Sequence, residues 1–408
     1  MGKTKNSWEK FKESLKYLGS GSSTGSKIPV YEGIEPALIL RGKGCRVWDI
    51  DGNEYIDFRN GLGPVTIGYN IKEINEVIIK QLEKGIVFGH PNPLEGEVAK
   101  KIVEIIPCAE RVRFLKTGGE AISSCIKIAR CITGKNKILH CGYNGWLNNL
   151  SRSNNAPVGI SKSMPENGVP SVMQDLHKNL PWGDINIWEE IFKKEGDDIA
   201  GCVIASSYPE MEKGKEFLPA IRELTARYGC LMIMDEIVTG FRVAIGGVHE
   251  YFNFKPDMAV FSKGIANGLP LSTYLGKGEF IDMAEKIGIS STFGGECLSL
   301  AGAKATIEFY IKNNVIKHLW KVGNIFQEGI NSIFQKYKIE AKIIGFPVCP
   351  MFSFENQKEG DLFFKLCYKN GISLYNVPYV NYSHKEEDIY EALERIDKAT
   401  EEMKSGNY

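Results

Sequence analysis

Two residues of the 408-residue chain stand where side chains can do chemistry. Asp235 ends the apolar run 231–234, and Lys263 lies two residues beyond the apolar run Met258–Phe261. Both runs have the length and content of buried strands, and the carboxyl ends of parallel strands in an open α/β sheet are where ligands are held. An acid and an amine delivered to one sheet edge suit pyridoxal phosphate. The amine can form a Schiff base with the aldehyde, and the carboxylate can keep the pyridine nitrogen protonated so that the ring accepts electrons. Either residue alone says little, because Asp after a strand is commonly a helix cap and a loop Lys is commonly just solvated. The pair is more specific, with Thr239-Gly-Phe-Arg242 following the acid and Ser262-Lys-Gly264 enclosing the amine.

The elements that must position this pair are legible in outline. Ile199–Ala205 reads as a buried strand, and Phe217, Ile221, Leu224 and Tyr228 mark a helix leading into 231–234, so the crossover predicts a parallel sheet. Arg111–Leu115 predicts another strand, which hands over to a helix at Thr117-Gly118-Gly119. A helix start of that kind offers N–H groups to a phosphate. Lys137–Cys141 is a further strand, followed by Gly142-Tyr143-Asn144-Gly145. Residues 150–172 have the Gly, Pro, Asn and Ser content of a long surface loop, here expected to be a lid.

Outside this region, Trp8, Phe11, Leu15 and Leu18 share a helical face, which predicts an amphipathic helix packed on its own body or on a second subunit. The tract GSGSSTGSK (19–27) is either a linker or a row of N–H groups closing over an anion, ended by Lys27. Short strands are expected at 37–40, 47–49 and 55–58, and a long helix at 298–310. Beyond it lie a small sheet (343–345, Met351–Phe354, 372–374) and helices at 361–370 and 386–404, the last with Ser383 as a candidate cap.

Composition narrows the function classes. Fifty basic residues balance fifty acidic ones, so no net field favours nucleic acid or an anionic membrane. Ten cysteines without CxxC pairs and six scattered histidines give neither a zinc site nor a disulfide framework, and point to a reducing cytosol. No apolar run approaches a membrane span, and the N-terminus has no signal-peptide core. Asn6 stands where a myristoylation signal needs Ser or Thr. The expectation is a cytoplasmic globule.

From about Pro36 to the last helix, these motifs resemble the class III pyridoxal-phosphate aminotransferases of fold type I, most of all the glutamate-1-semialdehyde aminomutase branch. The resemblance implies an α/β fold with a large, mainly parallel sheet domain (71–297). A small α+β domain (298–408) would be joined by the N-terminal segment (1–70). It implies Lys263 and Asp235 as the catalytic pair. Thr117, Gly118 and Gly119 would form the phosphate cradle, reading Thr-Gly-Gly-Glu-Ala where the family usually has Ser-Gly-Thr-Glu-Ala. Tyr143 would stack on the pyridine face, Asn144 would take the place of the usual His, and Val238 would pack on the ring. Thr292 would bond the phosphate of a neighbouring subunit, so a homodimer with shared active sites is implied.

Three positions that would face substrate depart from the aminomutase pattern: Lys27 replaces an arginine, Leu62 a tryptophan, and Ser206 the Glu of a Glu-Pro pair. Chemistry retained with pocket residues changed predicts an aminotransferase moving an amino group between a small-molecule donor and a carbonyl acceptor in a biosynthetic pathway. Its substrate would be anionic and its pocket roomier than one walled by Trp. The alternative is intramolecular transfer, as in the aminomutase. A catalytically silent scaffold subunit would have lost Lys263 or Asp235, and both are present.

Overall fold

The apolar runs become the middle of a seven-stranded sheet, described here with residues 4–147 and 169–406 of a computed structural model. In chain order its strands are β1 (Arg111–Leu115), β2 (Lys137–Cys141), β3 (His177–Asn179), β4 (Ile199–Ala205), β5 (Leu231–Asp235), β6 (Met258–Phe261) and β7 (Ser272–Gly276). They lie side by side as β1-β7-β6-β5-β4-β2-β3. Strands β3, β2, β4, β5 and β6 pair in parallel, and only β7 runs against its neighbours β6 and β1. Every residue of β5, β6 and β7 is buried, as expected of strands covered on both faces. Ile122, Cys125, Ile126 and Ala129 of the helix Gly118–Thr133 pack on Val203, Ile233 and Val260. Fully burying each such Ile or Val stabilises the fold by roughly 1.5–3 kcal/mol.

The chain divides into two units, one of residues 73–316 and one of 1–72 with 317–408. The boundary falls after Ile316, not at 298 as the sequence suggests. The helix Cys297–Asn313 packs on the helix Pro93–Ile105 and on the short helix Lys263–Ala266, and the ion pairs Lys304–Glu97 and Lys101–Glu308 tie it there.

The second unit holds a four-stranded sheet of Ile39–Lys43, Arg46–Asp49, Glu54–Asp57 and Ile372–Ser373, in that order, with only the last pairing parallel. A hairpin of Ala341–Ile344 and Met351–Phe354 lies beside a cluster of Phe334, Phe352, Phe354, Phe363 and Phe364. The first helix spans Lys5–Ser14 and packs within this unit. Asp51 accepts from the amides of Asn6 and Ser7, and Trp8 Nε1 donates to the carbonyl of Glu35 at 2.8 Å. Trp8 and Phe11 are buried, whereas Leu15 and Leu18 are exposed because the helix ends before them. The last helix begins at Glu386, where the Asp388 carboxylate accepts from the Lys385 amide; Ser383 does not cap it, its hydroxyl donating instead to the carbonyl of Ile67. The expected lid lies outside the described residues up to position 168, and its last residues open the helix Ser171–Asp175.

One glycine controls how β2 delivers the residues that follow it. Gly142 has φ +70°, and a Cβ there would stand 2.6 Å from the carbonyl oxygen of Ala205 at the end of β4. Gly134 has φ +67° but open space around it. Gly134→Ala should therefore lose about 1 kcal/mol from backbone strain alone, and Gly142→Ala clearly more, because the backbone it meets cannot step aside. Denaturant midpoints at unchanged m-value check this. Equal losses at the two sites would show that the close approach to Ala205 is not a constraint.

Candidate active site

Asp235 is the last residue of β5, paired in register with Ala205 on one side and Val260 on the other. Its carboxylate is buried. It accepts hydrogen bonds from Asn144 Nδ2 at 3.2 Å and from the Ile237 amide at 3.1 Å. Burial raises its pKa to about 6, with Asn144, the Ile237 amide and the charge of Lys263 pulling the other way.

Lys263 follows β6 and opens a short helical turn in the left-handed region, φ +45°. That conformation costs a non-glycine residue of order 1–3 kcal/mol and persists only where the surroundings enforce it. Here Ser262 Oγ donates to the carbonyl of Leu271 at 2.8 Å, and Gly264, Ile265 and Ala266 are buried behind the turn. Burial lowers the amine's pKa to about 8, against the attraction of Asp235. Among the described residues no hydrogen bond or ion pair joins Lys263 to Asp235, although each charge shifts the other.

The segment after Asp235 is pinned from below. Glu236 is fully buried and accepts from the amides of Val248 and His249, from His249 Nδ1 at 3.1 Å, and from Thr239. Burial pulls the His249 pKa down, but Cys108 and Glu236 outweigh it and raise the imidazole to about 10. Within the Thr239-Gly-Phe-Arg242 motif Phe241 and Arg242 are buried, Tyr310 donates to the Phe241 carbonyl at 2.5 Å, and the charge of Arg242 adds to the lowering of the Lys263 pKa.

The helix Gly118–Thr133 begins beside this edge. A Cβ on Gly118 would collide with Ile237 Cδ1 at 2.3 Å, so the glycine is what lets the helix start close to Asp235. The amides of Gly118 and Gly119 have no partner among the described residues. The Thr117 amide and hydroxyl, by contrast, donate to Glu120 at 2.8 and 2.9 Å in a capping box. The structure thus offers Gly118 and Gly119 by backbone, with Thr117 already engaged. Ser206, one residue past the end of β4, holds a buried hydroxyl with no partner among the described residues. Tyr143 presents an exposed ring whose hydroxyl pKa is raised by burial and by the charge of Asp235. Val238 is half-buried, and Thr292 is exposed beyond the helix Gly278–Lys286. Lys27 and Leu62 belong to the other unit. Lys27 is exposed in the turn Gly25–Lys27, and Leu62 is held at φ +75° between Gly61 and Gly63.

Residues 30–400 match the family model for class-III aminotransferases. The chain belongs to the class III aminotransferase family. It is 34% identical to glutamate-1-semialdehyde 2,1-aminomutase of Persephonella marina, over 98% of this chain and all of that one. It is 32% identical to 3-aminobutyryl-CoA aminotransferase of Cloacimonas acidaminovorans, with 96% of each chain covered. A solved transaminase with PLP bound superposes with a TM-score of 0.90 at 21% identity, covering 99% of both chains.

The cofactor of this aminotransferase is pyridoxal phosphate, and the residues present fit it. A half-buried amine of lowered pKa, a buried carboxylate, and a hydroxyl and two helix-start amides without partners among the described residues share one sheet edge. The carboxylate, the helix start and the amine were readable beforehand. The acids and histidines behind them (Glu236, His249, His140, His177) were not, for they carry no local pattern.

Holding Asp235 ionised has a stability cost that titration should expose. A carboxylate raised from 3.8 to about 6 penalises the folded state above pH 6, by roughly 3 kcal/mol at most, and not at all below its unfolded pKa. The cofactor-free Asp235→Asn variant should therefore be more stable than wild type at pH 7–8, with the gap closing as the pH falls towards 4. Chemical denaturation across that range measures it, and a gap that stayed constant with pH would contradict the assignment.

Proposed function

We propose that this aminotransferase moves an amino group between a small amino donor and the carbonyl of a separate, anionic acceptor. The observation that supports the site is the convergence of Lys263, Asp235 and the Ser206 hydroxyl, which has no partner among the described residues, at neighbouring strand ends. In this reading Lys263 Nζ holds the cofactor aldehyde, Asp235 faces the pyridine nitrogen, and the amides of Gly118 and Gly119 meet the phosphate with Thr117 beside them. Tyr143 lies along one ring face with Asn144 behind it, Val238 packs against the ring, and Ser206 supplies a hydrogen bond. When bound, pyridoxal phosphate supplies the electron sink that makes the substrate C–H bond acidic. An amine whose pKa lies near 8 is strong enough to take that proton and weak enough to return it at neutral pH. Lys27 attracts a substrate anion without the planar demand of a guanidinium, and Leu62 leaves more room than an indole. Thr292 reaches the neighbouring subunit of a homodimer in the cytoplasm.

A second reading is favoured by the full-length similarity to the aminomutase, whose amino transfer is intramolecular. Incubating the holoenzyme with glutamate 1-semialdehyde and no amino donor separates the two. The proposal expects little 5-amino-4-oxopentanoate there, and turnover only when donor and acceptor are both supplied. Rapid donor-free turnover would reverse the ranking. With the true acceptor identified, Lys27→Met should raise its KM about tenfold and leave the cofactor absorbance unaltered. Unchanged kinetics would make Lys27 part of a linker.

A further inference from the structure

Behind Asp235 runs a line of side chains that the amino-transfer chemistry leaves unexplained. Asn144 Nδ2 donates to Asp235, and Asn144 Oδ1 lies 3.2 Å from His140 Nδ1. His140 Nε2 lies 2.7 Å from His177 Nδ1, and His177 Nε2 lies 3.2 Å from a guanidinium nitrogen of Arg130. His140 is in β2 and His177 opens β3, so the parallel pairing of these strands sets the two rings side by side. Their planes differ by only 23° at a centroid separation of 5.0 Å. With a nitrogen contact of 2.7 Å, that spacing means the rings meet edge to edge, as an N–H···N bond requires. Asn144, His140 and His177 are all buried.

Donor chemistry fixes the direction of every link. Arginine can only donate, so His177 Nε2 must be the acceptor. The proton of a neutral His177 is then on Nδ1 and is donated to His140 Nε2. His140 in turn carries its proton on Nδ1 and donates it to Asn144 Oδ1, which is the amide orientation that turns Nδ2 towards Asp235. A second proton on either ring would set two donors face to face, at His177 Nε2 or between the rings. The line therefore holds both histidines neutral and points every donor at the carboxylate.

We infer that Arg130, His177, His140 and Asn144 form a one-way donor chain that carries the field of the surface guanidinium to Asp235 and keeps that carboxylate ionised. The four are positioning residues, and the inference rests on the reading that Asp235 faces the pyridine nitrogen. Other groups around Asp235 pull in both directions. Lys263 favours its charge, whereas burial and Glu236 oppose it, and Tyr143 and Cys125 lie near enough to feel it. With these forces opposed, each directed hydrogen bond shifts the balance.

The test is nitrogen-15 NMR of histidine-labelled protein, with and without cofactor, the six histidines assigned by substitution. His140 and His177 should both carry their proton on Nδ1, the less common form of free imidazole. Arg130→Met should return His177 to the Nε2–H form and lower the kcat of amino transfer about tenfold at unchanged KM, and Arg130→Lys should restore both. An Nε2–H tautomer or a protonated ring at either position in the wild type overturns the chain, as does an Arg130→Met enzyme with unaltered kcat. The tautomers are read without cofactor, so failure of the chain is distinguishable from failure of the functional reading, which would appear as a wild type that binds no pyridoxal phosphate at this site.

Discussion

Keeping Asp235 charged at the end of a buried strand removes hydration that the surrounding chain must replace with hydrogen bonds. Much of the large unit is arranged around that requirement. The Ile237 amide and the Asn144 amide supply the two bonds, and each depends on a backbone that cannot drift. On one side the buried Glu236–His249 pair ties down the loop that follows β5. On the other, the tight turn at Gly142 aims Asn144 back across the end of β4. Lys263 meets the same constraint from the opposite sign, with a strained backbone and a lowered pKa that only a well-packed site can maintain.

Ile199–Ala205 and Met258–Phe261 were legible because they are buried and read as unbroken apolar runs. Arg111–Leu115 and Lys137–Cys141 mix apolar with charged or polar residues and were legible as short β-prone stretches between turn signals. Arg111–Leu115, Lys137–Cys141, Ile199–Ala205 and Met258–Phe261 have the bounds that their composition suggests. His177–Asn179 was invisible, since three polar residues carry no period and their strand character comes wholly from pairing with β2. Leu15 and Leu18 misled for a related reason. They continue a helical spacing beyond the point where the helix stops. The contact between His140 and His177 joins residues 37 apart in sequence through sheet pairing alone, so no local motif announces it.

The residues that suit pyridoxal phosphate and the two departures from the aminomutase pattern at Lys27 and Leu62 belong to different units. The residues that suit pyridoxal phosphate sit on rigid strand ends and helix starts of one unit, where a change of side chain is felt at once. Lys27 and Leu62 sit in loops of the other unit, one exposed and one in a run of left-handed residues from Asn60 to Gly63. That run is held by Asp57, which accepts from the amides of Arg59 and Asn60, and by Asn381, whose Nδ2 donates to Asn60 Oδ1.

The most direct test is to reduce the holoenzyme with borohydride, which fixes the cofactor to the amine that holds it, and to map the labelled peptide by mass spectrometry. The account predicts a single pyridoxyl phosphate on Lys263 and none on the Lys263→Ala protein. Label on another lysine, or label that survives the substitution, would contradict it.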